Sequence, residues 1–321
     1  MTLYHQSNWP EIGLSTALGE GSLPPFQSPS GDAARWVREM RFAGLAVRWI
    51  ASRNAFESQL YGFPIWEFHV EAGDGGAVSS APVFLALLED HLCAEIDRLP
   101  GTVPWEPAYV FSKVVAGEPL HRALARSGFQ QIEHRRLYKT PVRDMIDRHP
   151  AAGAGVFRFT TLEEIAPADR APWRERILGI CHEAFGTKGF SRHFTDPFLL
   201  ERRAGLDYIL AVMQMNFERL PPADFLVAMH DAADRVAGFS VVGKKPGLAG
   251  ASHTQLLSAV ANDYRGRGVY QGLTQLLWRT LPRDATLLNV THAENRAMQR
   301  AYLQGARVHL ADTVLMRRVF Q

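Results

Sequence analysis

The segment Leu257–Leu273, LSAVANDYRGRGVYQGL, holds the residues whose types and spacing best suit chemistry. An apolar strand ends, Asn262 and Asp263 form a polar turn, and Arg265-Gly266-Arg267-Gly268 leads directly into an amphipathic helix. Such a turn is an anion site. Glycines let backbone N–H groups face one point, and the helix N-terminus adds its unsatisfied donors and the positive end of its dipole. Arg265 and Arg267 strengthen it. A second cluster lies in Leu288–Ala306, LNVTHAENRAMQRAYLQGA, with Asn295 near a helix start and Tyr302 seven residues later. Seven residues are about two helical turns, so these side chains share a face about 10 Å apart. A phenol, with an ordinary pKa of about 10, stays protonated at neutral pH and can donate that proton.

These residues need a strand and a helix N-terminus in the first case, and a strand, a turn and a helix in the second. The pattern supplies both. Thr254–Val260 reads as a strand, Val269–Leu281 as a helix stopped by Pro282, Ala285–Thr291 as a strand and Asn295–Gln304 as a helix. Upstream, a strand at Val156–Thr160 precedes helices at Ala171–Phe185 and Pro197–Glu218 and a hairpin of Phe225–His230 with Val236–Val242. Arg307–Phe320 supplies a last strand pair.

The first half is also mixed. Residues Gly19–Asp32 are dense in Gly, Pro and Ser and read as a flexible arm. Strand-like runs at Ala46–Ile50 and Pro64–Val70, a helix at Val83–Leu99 and a buried strand at Ala108–Val115 follow. Pro119–Ser127 reads as a helix ended by Gly128, Phe129–Lys139 as a strand, and Met145–Gly155 as an interdomain connection. Helix, glycine and strand recur in both halves, as ALARSGFQQIEHRRLYK and RAYLQGARVHLADTVLMRR, which points to a tandem of related units.

Composition narrows the function. Of 321 residues, 35 are Lys or Arg and 33 Asp or Glu, with no long run of either sign, so neither nucleic acid nor a membrane surface is expected as a partner. Cys93 and Cys181 are the two cysteines, far apart and outside any CxxC or Cys/His cluster. Neither a disulfide framework nor a metal site is expected, and no chemistry is assigned to either thiol. The N-terminal residues lack a basic and then apolar leader, and no apolar stretch is long enough to span a bilayer, so a cytoplasmic protein is expected.

The strand–turn–helix of Arg265–Gly268 resembles the Arg/Gln-x-x-Gly-x-Gly/Ala signature of the GNAT superfamily, with Arg265 and Gly268 at its first two fixed positions. Tyr270 stands at the third, where Gly or Ala is usual, so the cofactor's route over the helix start is tighter or shifted. The resemblance implies a GNAT α/β (α+β) fold, with a mixed, mostly antiparallel sheet flanked by helices. It implies residues 1–44 as arm and linker, 45–145 as a degenerate GNAT-like domain and 156–321 as the catalytic domain. It further implies that acetyl-CoA is the co-substrate, held at Ala259, Val260, Arg265, Gly266, Arg267, Gly268, Val269 and Tyr270, with Asn295 hydrogen-bonded to it. Tyr302 would then sit by the sulfur and protonate the departing thiolate. The family commonly places Gly-Phe four and five residues after this tyrosine; here Gly305 comes three after it, followed by Ala306 and Arg307.

The acceptor is implied to be a small-molecule amine. Gly62-Phe63-Pro64 and Ser191–Asp196 loosely resemble the two-part TDP-fucosamine acetyltransferase branch, which implies an amino-sugar nucleotide contacted by Arg192 or His193. The latter segment reads equally as a polar loop between helices. The strand His253–Val260 has no carboxylate to act as base, which leaves His253 or His292 acting through water. Ala116-Gly117-Glu118-Pro119 carries no phosphate-binding turn, and Leu124 stands where a tyrosine would, so the first half is expected to support the site. A protein-directed acetyltransferase and a catalytically silent acyl-CoA-binding module are the alternative classes.

Overall fold

The computed structural model describes residues 35–42, 45–72, 82–98, 108–148, 155–186, 189–202, 204–230, 235–245, 252–304 and 307–320. The arm at Gly19–Asp32 lies outside them. In chain order the elements of the first half are β1 (Arg35–Phe42), β2 (Leu45–Arg53), α1 (Ala55–Tyr61), β3 (Ile65–Ala72), α2 (Pro82–Arg98), β4 (Ala108–Val115), α3 (Pro119–Arg126) and β5 (Gln130–Pro141). Then come α4 (Val142–Arg148), β6 (Phe157–Thr161), α5 (Arg170–Phe185), α6 (Arg192–Thr195), α7 (Pro197–Leu200) and α8 (Gly205–Arg219). The chain ends with β7 (Phe225–His230), β8 (Arg235–Lys245), β9 (Ser252–Val260), α9 (Val269–Thr280), β10 (Thr286–His292), α10 (Arg296–Gln304) and β11 (Val308–Phe320). Among the described residues no helix is long and apolar enough to cross a membrane.

Two compact units result: one gathers the described residues up to 136 with 310–320, the other residues 137–245 and 252–309. In the first, β1–β2–β3 run antiparallel, β3 and β4 pair in parallel through Ile65–Glu67 and Tyr109–Phe111, and β4 pairs antiparallel with β11 from Ala108↔Phe320 to Val115↔Thr313. The last strand of the chain thus completes the first unit's sheet, and it is one continuous strand rather than the expected pair. Phe68, Val110 and Val114 of the sheet bury against Leu92 and Ile96 of α2 and Leu120 and Leu124 of α3. Gly128 ends α3 with φ of 81°, a left-handed conformation that L side chains rarely adopt.

The second unit orders its strands β6–β7–β8–β9–β10, antiparallel until β9 and β10, which are parallel. Phe225–Met229 of β7 are all buried, so both faces of this sheet are covered by helices. Helix α5 packs on α8, β8 and β9, while α9 packs on β6, β7 and β8. Gly272 makes the latter approach close, since a Cβ there would come within 2.0 Å of the Phe159 ring.

The structure departs from the sequence expectation at three places. Arg35–Phe42, placed in the N-terminal arm, is a strand, because its pairing with β2 supplies hydrogen bonds that its charged sequence does not advertise. The supposed connection starts with helix α4, whose Val142 and Met145 are buried and whose first N–H groups reach the carbonyls of Ala285 and Arg283. The helix expected over Pro197–Glu218 is broken into α7 and α8; at Gly205 an added Cβ would lie 2.6 Å from the His193 carbonyl.

Each half of the chain runs strand, helix, parallel strand, helix, strand: β3–α2–β4–α3–β5 and β9–α9–β10–α10–β11. The first-unit counterpart of the Arg265–Gly268 turn is the β3–α2 connection, residues 73–81, which lies outside the described residues. Ala116–Pro119 corresponds instead to the turn before α10.

Candidate active site

Strands β9 and β10 pair for only three residues, Ser252↔Thr286, His253↔Leu287 and Thr254↔Leu288. Beyond that ladder β9 continues to Val260 and β10 to His292, so the two strands part. The register of β8 on β9 shifts at the same level, from Val242↔Gln255 to Val241↔Leu257, which makes Leu256 an extra residue. Such a bulge bends a strand locally and re-aims its side chains. Ala259 and Val260 lie on the departing stretch of β9, paired on one side with Phe239 and Gly238 of β8.

A polar network fills the base of the parting. Gln255 donates from Nε2 to the hydroxyls of Ser240 and Ser258 at 2.8 and 2.7 Å. Its Oε1 accepts from Tyr270 Oη at 3.0 Å and from Asn289 Nδ2 at 2.8 Å. Tyr302, 3% exposed, joins through hydrogen bonds to Tyr270 and Asn289. Burial, the neighbouring Tyr270 and its hydrogen bond hold the Tyr302 hydroxyl well above the usual phenol range, against the opposing pull of Arg307 and Asn289. It stays protonated at neutral pH. Tyr138 meets its ring edge-on, with centroids 5.0 Å apart. Asn289 is fully buried, and its Oδ1 has no hydrogen-bond partner among the described residues.

The turn after β9 is built as its composition demands. Tyr264, buried against Phe157 and His230, anchors a single 3-10 turn, Asn262–Tyr264. The next four residues are exposed, with Gly266 and Gly268 at φ of 76° and 81°. Gly268 is the N-cap of α9 and offers no side chain to its first-turn N–H groups. Arg265 donates to the Val260 carbonyl at 3.4 Å, and Arg267 lies over the Tyr264 ring at 5.8 Å. Val269, the first helical residue, is buried and holds the helix start against the sheet.

The other sequence candidates fall in different settings. Tyr270 turns its hydroxyl inward to Gln255, so it belongs to the buried network more than to the exposed turn. Asn295 caps α10, its Oδ1 accepting from the Met298 N–H at 3.2 Å. His253 lies two residues before Gln255 and therefore on the same face of β9. It is buried, and desolvation with help from Lys244 lowers its pKa, which leaves a neutral imidazole at pH 7. His292 stacks on Phe190 at 6.0 Å. Arg192 and His193, expected to be available to an acceptor, are 3% and 5% exposed, and His193 stacks on Tyr208 at 3.6 Å. Gln255, Asn289 and Arg307 were not singled out in the sequence. The signal was present for the first two: each is an amide inside an otherwise apolar strand run, HTQLLSAV and TLLNVTH.

No family model and no curated protein matches the chain. Among solved structures, a tandem GNAT protein from the clavulanic acid biosynthesis pathway is similar over 96% of this chain and 92% of its own, with 15% identity and a TM-score of 0.50. A GCN5-related N-acetyltransferase from Sphaerobacter thermophilus is similar over 86% of this chain and 80% of its own, with 15% identity and a TM-score of 0.49. One from Kribbella flavida covers 88% and 89%, with 12% identity and a TM-score of 0.45. The first of these establishes the fold: a mixed α/β GNAT fold present as a tandem. At such identities the likeness speaks for architecture, and the reaction has to be argued from the side chains.

Proposed function

We propose that the chain is an acyl-CoA-dependent N-acetyltransferase whose donor site lies in the second unit. The observation that carries this reading is the parting of β9 from β10 with an anion-binding turn at its exit and a buried proton donor at its base. A pantetheine arm is an extended chain of amides, and the departing edge of β9 at Ala259 and Val260 offers it backbone partners. The pyrophosphate would sit on the N–H groups of Gly266, Gly268, Val269 and Tyr270, with Arg265 and Arg267 beside it. The unpartnered Oδ1 of buried Asn289 fits an amide N–H of the same arm. Asn295, as a cap, orients the helix that carries Tyr302.

Transfer is direct. The acceptor amine, made neutral by loss of a proton through water to His253, attacks the thioester carbonyl, the C–S bond breaks and Tyr302 protonates the sulfur. The acceptor is a small amine, and an amino-sugar nucleotide is the finer reading, supported by the sequence resemblance alone. Cytoplasmic location belongs to the same proposal.

Calorimetry with acetyl-CoA, followed by thiol release over amino sugars, polyamines, amino acids and peptides, tests it. The expected result is one acetyl-CoA per chain and release with a small amine. Binding without release from any amine makes the chain a silent acyl-CoA-binding module, and release with peptides alone makes it a protein acetyltransferase.

A further inference from the structure

Leu124 of α3 and Tyr302 of α10 occupy matching places. Each carbonyl accepts the N–H of the residue five positions on, Phe129 at 3.0 Å and Arg307 at 3.2 Å, so the two pairs hold the same place relative to each other. The first unit puts leucine and phenylalanine there, 0% and 4% exposed. The second puts tyrosine and arginine there, 3% and 5% exposed. The polar pair is therefore no requirement of this helix end, which an apolar pair satisfies in the same chain.

A buried guanidinium is costly unless an anion compensates it. That of Arg307 lies over the face of Tyr302, 4.1 Å from the ring centroid, and Nη1 donates to Tyr270 Oη at 3.4 Å. Its Nε has no partner, and among the described residues no carboxylate forms an ion pair with it. The groups that face Tyr302 are Tyr270 from α9, Asn289 from β10, Tyr138 from β5 and Arg307 itself, with the His309 ring tilted against the far partner, Tyr138. Arg307 is the one charge among them that is positive at every working pH.

We propose that Arg307 supplies the positive charge that stabilises the thiolate released when the acyl group leaves coenzyme A. This rests on the donor site proposed above. The amine lone pair forms the C–N bond, the C–S electron pair passes to sulfur, and the Tyr302 proton moves to that sulfur. Tyr302 then recovers a proton, through water, from the ammonium formed by attack. Once the C–S bond breaks, the negative charge sits on sulfur or on Tyr302 Oη, beside the ring that Arg307 covers. Arg307 is in this sense a positioning residue for charge, and the apolar first unit lacks its counterpart.

The test is an ultraviolet titration of the coenzyme A thiol in its complex with wild type, Arg307→Met and Arg307→Lys, with binding heats and melting temperatures measured alongside. An opposite charge within about 4–6 Å lowers a pKa by about 1 unit or more, so the bound thiol of wild type should titrate about 1 pH unit below free coenzyme A. Arg307→Met should return it to the free value, and Arg307→Lys should restore most of the difference. Arg307→Phe, which copies the first unit, serves as a second neutral variant should Arg307→Met not fold. Equal titration in wild type and both neutral variants overturns the proposal, as does a neutral variant that melts several degrees lower with its thiol titration unmoved. No binding heat from coenzyme A with wild type overturns the donor site itself, and the Arg307 role with it.

Discussion

Replacing Tyr302 with phenylalanine keeps the ring that Arg307 and Tyr138 pack against and removes one oxygen. That oxygen is hydrogen-bonded to Tyr270 and Asn289. Tyr270 keeps Gln255 and Arg307, and Asn289 keeps Gln255, so neither partner is stranded entirely. The stability cost should sit near the low end of the usual range for a buried hydrogen-bond loss, about 1 kcal/mol. Catalysis should suffer more. General acid catalysis is worth about 10²–10⁴-fold, or about 3–5 kcal/mol of barrier, so kcat falls by that factor while acetyl-CoA affinity barely moves. Thiol release under saturating acceptor gives kcat, and calorimetry gives the affinity. A fall of less than tenfold, or weakened binding with turnover per bound complex preserved, refutes the proton-donor role. The same hydroxyl has a pH signature. Its folded-state pKa lies above the ordinary value of 10.0, so its contribution to stability is complete below about pH 10 and is lost as pH rises beyond it. Urea midpoints from about pH 9 to about pH 11 should therefore fall more steeply for wild type than for Tyr302→Phe.

Gly268→Val tests the turn. A non-glycine residue at φ of 81° costs about 1–2 kcal/mol, and the nearest atom to an added Cβ is Gln271 Oε1 at 3.3 Å, so the protein should still fold. Its acetyl-CoA affinity should drop at least about tenfold because the branched side chain bars backbone approach, and unchanged affinity in the folded variant removes the turn from the donor site. Cys181 is buried in the second unit's core, and desolvation pushes its thiol up to about 12. At pH 8 its thiolate fraction is then on the order of 10⁻⁴, so peptide mapping after maleimide labelling should find it unmodified until urea unfolds the chain; rapid native labelling contradicts its burial.

The local sequence was sufficient for most elements of the second unit, because their signals are carried by residues that touch one another along the chain. Helix α9 shows its apolar stripe, its stop at Pro282 and the glycines before it without reference to any other segment. The same holds for α3 and its Gly128. The tertiary structure alone decided matters that depend on partners distant in sequence. Strand β11 adjoins β4, and nothing in VHLADTVLMRRVF names that partner, because strand pairing is set by which edges are left open. Gln255, Tyr270, Asn289, Tyr302 and Arg307 come from a strand, a helix, the next strand, the next helix and the residue that leads into β11. Read separately, they are one amide in an apolar run, an aromatic in the place of a glycine, another amide, a tyrosine at helical spacing and a charge after a helix. Only the parting of β9 from β10 lets the glutamine, the first tyrosine and the asparagine meet, and only the close of α10 brings a guanidinium over the second tyrosine. A hydrogen bond or a charge acts over a few ångströms of space, and sequence neighbours supply that proximity only within a helical turn or a strand pair.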